Sequence, residues 1–155
     1  VESLQGTMIN ELARSYATQG LDLITRVFLD DGTDDELMAA SFMGGVSIVN
    51  SEVGLCHALS YGLSVELGFR HGLANCLVFN ALDEYYGEWV GRFRKMMRTH
   101  AIELPSGVCR GLDDDSRSRM IEMTFRMERP LINALGETWR DQLTPQQILN
   151  LYDRM

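Results

Sequence analysis

Gly54-Leu55-Cys56-His57-Ala58-Leu59-Ser60-Tyr61-Gly62, followed closely by Arg70-His71-Gly72-Leu73-Ala74-Asn75, is the most informative stretch of the chain. Gly54 to Leu67 reads as a helix, Gly68-Phe69-Arg70-His71-Gly72 as a break, and Leu73 to about Tyr86 as a further helix. Two of the 3 histidines fall here, 14 positions apart (71 − 57). Gly54, Ala58, Gly62, Gly72 and Ala74 surround them and let another group approach the backbone closely. Neutral imidazole is a good ligand for zinc or ferrous iron. Histidines on helices are also commonly hydrogen-bonded or exposed, and this spacing alone leaves both readings open. Geometry adds a condition. On a straight helix to Leu67, His57 lies about 15 Å from the far end at 1.5 Å per residue. Joint ligation by His57 and His71 therefore requires the first helix to stop near Gly62, or segment 63–70 to fold back.

Outward from this stretch the pattern stays helical. Leu4, Met8, Leu12 and Tyr16 step by four across 4–19. Thr33-Asp34-Asp35-Glu36 has capping-box spacing, and Met38, Phe42, Val46 and Val49 follow at helical intervals. Trp89, Phe93, Met96 and Met97 mark an amphipathic helix ending near His100, a residue best read as facing the C-terminal dipole. Ile102 to Asp115 reads as a loop, and Arg117 to Arg129 as a helix stopping before Pro130. Thr144-Pro145-Gln146-Gln147 is a helix start. No run alternates with period two. The expectation is an all-α fold of about seven or eight helices in a single domain, 1–155.

Composition narrows the function. The 155 residues are 45% hydrophobic, a globular proportion. A formal charge of -8 disfavours phosphate backbones, so no nucleic-acid partner is expected. No apolar run approaches the roughly 20 residues of a spanning helix, so no membrane partner is expected either. Cys56, Cys76 and Cys109 form neither a disulfide framework nor a C-x-x-C motif and read as reduced thiols. With no signal segment, a cytoplasmic location is expected. The chain opens at Val1 directly into helix-like sequence and reads as trimmed. A homodimer is left open.

The pattern G-x-x-H-A, then H-G-x-A-N, resembles the signature of iron-containing (group III) alcohol dehydrogenases. The resemblance covers essentially the whole chain. It implies the helical C-terminal domain of a dehydroquinate synthase-like fold, with His57 and His71 as ligands of a divalent metal, iron or zinc. The family's other two ligands come from a D-x-x-x-H motif, and Val1-Glu2-Ser3 resembles the residues that follow it. The family's nicotinamide cofactor sits in an N-terminal domain. No G-x-G-x-x-G or glycine-serine phosphate loop occurs here, so NAD(P) would bind through that missing domain, and the chain alone is expected to be inactive.

Two positions depart from the family. Tyr61 stands where a histidine is common, and Arg70 where proline is common. Tyr61, at i+4 from His57, shares its helix face and could donate a hydrogen bond to substrate; the alternative is a half-buried aromatic. Arg70 could bind a substrate carboxylate; the alternative is a solvated charge. Ser60-Tyr61-Gly62-Leu63-Ser64, Gly68-Phe69-Arg70-His71-Gly72 and Asp83-Glu84-Tyr85-Tyr86-Gly87 resemble a finer subgroup of the family. That subgroup oxidises the terminal C8 hydroxyl of a sugar acid, 3-deoxy-manno-octulosonate, to an aldehyde in lipopolysaccharide sugar biosynthesis. A dehydrogenase of a small alcohol or aldehyde, and a non-catalytic helical interaction module, are the competing expectations.

Other features carry plainer readings. Gly44-Gly45 suggests close helix packing, and Asp113-Asp114-Asp115 a solvated loop or helix start. Met120, Met123 and Met127 form a core stripe, and Arg92, Arg94, Lys95 and Arg98 a solvated face.

Overall fold

The computed structural model describes residues 1–155 as eleven helical segments and no strand. In chain order they are α1 (Glu2–Gln5), α2 (Glu11–Leu29), α3 (Asp34–Ser51), α4 (Leu55–Glu66), α5 (His71–Asn80), α6 (Asp83–Tyr86), α7 (Glu88–Thr99), α8 (Asp114–Arg126), α9 (Glu128–Leu135), α10 (Trp139–Gln142) and α11 (Pro145–Tyr152). The all-α expectation holds. The count exceeds the expected one because α1, α6 and α10 are single turns of 4 residues, too short to show a period. No helix is long and apolar enough to cross a membrane.

Local signals explain most helix starts. Thr33 and Glu36 form a reciprocal capping box on α3, and Thr144 and Gln147 form one on α11 with Pro145 in the first turn. The Asn10 side chain accepts from the Ala13 N–H and opens α2. Asp113 does the same through Ser116, so the acidic run is a helix start.

Three boundaries differ from the periodicity. The helix expected over 4–19 is broken between Gly6 and Asn10. There the buried Asn133 takes over the backbone: its main-chain carbonyl accepts the Thr7 N–H at 2.8 Å, and its Oδ1 the Met8 N–H at 2.8 Å. A Cβ on Gly6 would meet the Asn133 amide at 2.4 Å, so only glycine passes there. The helix expected from Leu73 to Tyr86 divides at Ala81 and Leu82 into α5 and α6. Pro130 does not follow a helix but lies in the first turn of α9, where a missing N–H costs nothing.

The core is built around α4. Leu55, Cys56, Ala58, Leu59, Ser60, Gly62 and Leu63 are all buried there, against α5, α8 and α9. A Cβ on Gly62 would meet the Tyr152 hydroxyl at 2.5 Å and Met120 Cβ at 3.2 Å, so glycine admits both. Tyr152 donates to the Leu59 carbonyl at 2.8 Å and ties the C-terminal helix to α4. Of the methionine stripe, Met120 is fully buried, while Met123 and Met127 are partly so.

No residue of α2 or α3 belongs to this core. These two helices pack on each other as a hairpin, burying only small side chains: Ala13, Ala17, Gly20, Ala40, Ser47 and Ser51. Close approach falls at Gly20, whose Cβ would meet Met43 Cβ at 3.3 Å. The Gly44 backbone nitrogen lies 3.7 Å from that same Cβ position, so Gly44 sits at the close approach of the two helices, whereas Gly45 has no neighbour within 4 Å of its own Cβ position. Met38, Phe42 and Val49 do share a helix face, but it points to solvent, with exposures of 72%, 67% and 86%. His100 caps α7 and its ring nitrogen donates to the Phe28 carbonyl at 2.8 Å, joining α7 to the end of α2. Arg94 is not merely solvated. It makes a two-pronged pair with Asp83, at 2.5 and 2.8 Å, and holds the carboxyl of Asp83 below the usual aspartate range.

Candidate metal centre

His57 occupies the first turn of α4 and His71 the first residue of α5. α4 does not stop at Gly62; it runs to Glu66. The second of the two geometric routes is taken. Gly68 adopts φ +72, a left-handed turn that favours glycine and ends the helix. The Phe69 N–H then bonds back to Leu63 at 3.4 Å, and Arg70 is extended. Segment 67–70 thus returns alongside α4 before α5 begins. The two imidazoles come face to tilted face, with ring centroids 5.2 Å apart.

Asn75, one turn after His71 on α5, lies between them. Its Nδ2 is 3.3 Å from His57 Nε2 and 3.1 Å from His71 Nε2. The Cys56 thiol lies 3.3 Å from the Asn75 main-chain carbonyl, which ties the start of α4 to α5 beside the rings. Both Nε2 atoms therefore face one small volume.

The opposite nitrogen of His57 meets a buried carboxylate. His57 Nδ1 bonds to Glu2 Oε2, while Glu2 Oε1 accepts the N–H groups of Cys56 at 2.7 Å and His57 at 3.2 Å. Tyr86 donates to the same oxygen at 3.2 Å. Helix α4 follows Gly54 and has no side-chain cap of its own. Glu2 caps it from α1, an anion at the positive end of a helix. A Cβ on Gly54 would come within 3.1 Å of Glu2 Oε1, so the glycine opens the way. Burial works to raise the Glu2 carboxyl, but the hydrogen bond and charge of His57, with Tyr86, outweigh it and hold the group below the usual range. Glu2 thus takes the hydrogen bond of His57 Nδ1, and the ring turns Nε2 toward Asn75. A histidine held this way by a carboxylate is the familiar arrangement behind a metal ligand.

Tyr61 lies beside the pair, its ring 5.9 Å from that of His71. It is 39% exposed. Arg70 precedes His71 at the start of α5 and is exposed. The rings of His57, Tyr61 and His71 thus gather between α4 and α5, and Arg70 adjoins them as the chain neighbour of His71. Glu2 and Asn75 were missed as site residues. The uncapped start of α4 was the available signal for Glu2, and the i+4 spacing from His71 for Asn75.

The donor chemistry fits a divalent cation in part. Two imidazole Nε2 atoms converge, but no three His, Cys, Asp or Glu side chains of the chain group closely enough to hold a metal. Cys56 adds nothing as a thiolate: burial first, then the Glu2 charge, push its thiol well above the usual range. Behind His57 a cavity of about 590 Å³ opens between the α2–α3 hairpin and helices α5 and α7. Its walls are mostly apolar, among them Leu21, Ile24, Phe28, Phe79 and Phe93, with Glu2, His57 and Asn75 at one end.

These features define an all-helical domain presenting two imidazoles from adjacent helices, one of them anchored by a carboxylate. Residues 1–125 match the C-terminal model of the Fe-containing alcohol dehydrogenase family, and the chain belongs to that family. It is 25% identical over 92 residues to alcohol dehydrogenase 4 of Schizosaccharomyces pombe, covering 55% of this chain and 22% of that protein. It superposes on iron-containing alcohol dehydrogenases of Thermococcus thioreducens (TM-score 0.64, 17% identity) and Thermotoga maritima (TM-score 0.66, 20% identity). Each superposition covers 97% of this chain, and 46% and 44% of those chains. The fold is that of the family's helical C-terminal domain. The chain spans under half the length of the solved relatives and under a quarter of the curated one.

Proposed function

We propose that this chain is the metal-binding half of an alcohol oxidoreductase, with His57 and His71 as two of its metal ligands. The observation that carries this reading is the convergence of both Nε2 atoms on Asn75 Nδ2, with His57 anchored from behind by Glu2. Catalytic zinc or iron sites use at least three protein ligands, so an aspartate and a histidine from the preceding part of a full-length protein complete the set. A cation bound there would act as a Lewis acid on the substrate hydroxyl, making it easier to deprotonate. His57 keeps its orientation through Glu2. Tyr61 offers its phenol to the substrate beside His71, and Arg70 offers a guanidinium fork to a carboxylate. Hydride acceptance falls to NAD(P) in a second domain, or to oxygen, and the 155-residue chain alone is inactive.

The finer proposal is that the substrate is 3-deoxy-manno-octulosonate, oxidised at C8. Its support is the sequence resemblance around Tyr61 and Arg70 and the accessibility of both side chains. One observation favours a second reading, a dehydrogenase of a small alcohol or aldehyde: the apolar cavity behind His57 suits an aliphatic body better than a sugar. Turnover of the full-length protein on the sugar acid and on short aliphatic alcohols separates them. Faster turnover of the sugar acid supports the first, and of the alcohols the second. Unchanged metal content after His57→Ala overturns both.

A further inference from the structure

We infer that the cavity behind His57 is a binding site for an unbranched primary alcohol of about ten carbons, its chain lying along the α2–α3 hairpin and its hydroxyl at the Glu2 end. The site belongs to this chain alone and stands whether or not His57 and His71 hold a metal.

The hairpin gives the cavity its shape. Ala17, Gly20, Ile24 and Phe28 of α2 line it at steps of three or four, so they form one stripe on that helix. Leu37, Ala40, Gly44 and Ser47 do the same on α3. The two helices run antiparallel: Ser47 donates to the Ala13 carbonyl at 3.0 Å, and the Cβ position of Gly20 lies 3.4 Å from the Ala40 carbonyl. The open end of the hairpin joins α1 and α4, where Glu2 lies, so the cavity is narrow-walled with small side chains near Glu2 and closed by Phe28 and Leu37 at its far end. Ala17 and Phe28 are about 16 Å apart along the axis of α2. That length, with a volume of about 590 Å³, suits a slender extended chain.

The lining sets the chemistry of the ligand. No lysine or arginine side chain faces the cavity, and its one carboxylate, Glu2, stands at the end with His57 and Asn75. A fatty carboxylate would meet a like charge there. A hydroxyl both donates and accepts, which suits the polar groups at that end, and each methylene behind it leaves water for an apolar wall.

The test measures binding of n-decanol, n-butanol and n-decanoate to the chain by equilibrium dialysis. Decanol should bind roughly a hundredfold or more tightly than butanol, through its further buried methylenes, and more tightly than decanoate. Gly44 supplies the blocking variant, because it lines the cavity and a Cβ there meets nothing within 4 Å. Gly44→Leu fills the space without a clash and favours the helix over glycine, so it should keep the unfolding midpoint while weakening decanol binding roughly tenfold or more. Gly45→Leu makes the same change outside the lining and should leave binding as it was. The inference is overturned if decanol gains nothing over butanol, if decanoate binds more tightly, or if the two leucine variants bind alike. It is also overturned if the full-length protein binds no decanol, since residues preceding Val1 would then occupy the cavity.

Discussion

Glu2 and His57, 55 positions apart in sequence, are joined by a hydrogen bond from the imidazole Nδ1 to a carboxylate that also caps the helix carrying that imidazole. One side chain orients both the ring and the helix beneath it. Glu2→Gln should therefore lower the metal affinity of the full-length protein by about 10- to 100-fold. A metal titration in a buffered competition assay checks this. Equal affinity in the variant would remove Glu2 from the centre.

The neighbourhood of Arg70 gives a substrate-dependent prediction. Arg70→Ala in the full-length protein should raise KM for the sugar acid by roughly tenfold while leaving KM for an uncharged short alcohol unchanged. Steady-state kinetics on the two substrates decide it. A parallel rise for both would mean that the side chain shapes the loop and binds no carboxylate.

Gly62 tests the packing of α4. Its Cβ position lies 2.5 Å from the buried Tyr152 hydroxyl. Gly62→Ala should cost about 1–3 kcal/mol through overpacking. Urea unfolding should show a lower midpoint with an unchanged slope.

Asn133 tests the clamp beneath the site. Its Oδ1 accepts from Met8 and its Nδ2 donates to the Val53 carbonyl at 2.9 Å, so it holds the chain just after α1 and just before α4. Asn133→Ala should cost about 1–3 kcal/mol, since it leaves two partly buried backbone groups without their partner. The same unfolding experiment measures it.

Cys109 gives a pH dependence. Burial pushes its thiol from the usual 9 up to about 11. Between these values the unfolded chain releases a proton that the folded chain keeps, so stability is fully present below pH 9 and is lost as pH rises. At its steepest this one group contributes about 1.4 kcal/mol per pH unit. Tyr152, raised chiefly by burial, acts in the same direction at higher pH. Cys109→Ala should flatten the alkaline limb of a stability-against-pH curve.

Much of this molecule could be read locally. The capping residues Thr33, Thr144 and Asp113 announce their helices because a cap is satisfied within three positions. Tyr61 and His57 share a helix face by spacing alone. What periodicity could not supply was anything settled between distant segments. The break at Gly6 is imposed by Asn133, and the cap on α4 by Glu2. The Met38–Phe42–Val49 stripe shows that α3 has an apolar face without showing what that face meets. The return of segment 67–70 depends on one left-handed glycine, and two routes were compatible with the sequence until it was seen.

The division of labour between the core around α4 and the α2–α3 hairpin has a dynamic consequence. The hairpin buries small side chains and lends none to the central cluster. Its amide protons should exchange with solvent by local opening, well before those of Leu59 or Leu63, which wait for global unfolding. Because Glu2 caps α4 from the segment leading into that hairpin, each opening event tugs on the anchor of His57. The easiest opening of this domain is therefore coupled to the sharpness of its two-histidine site.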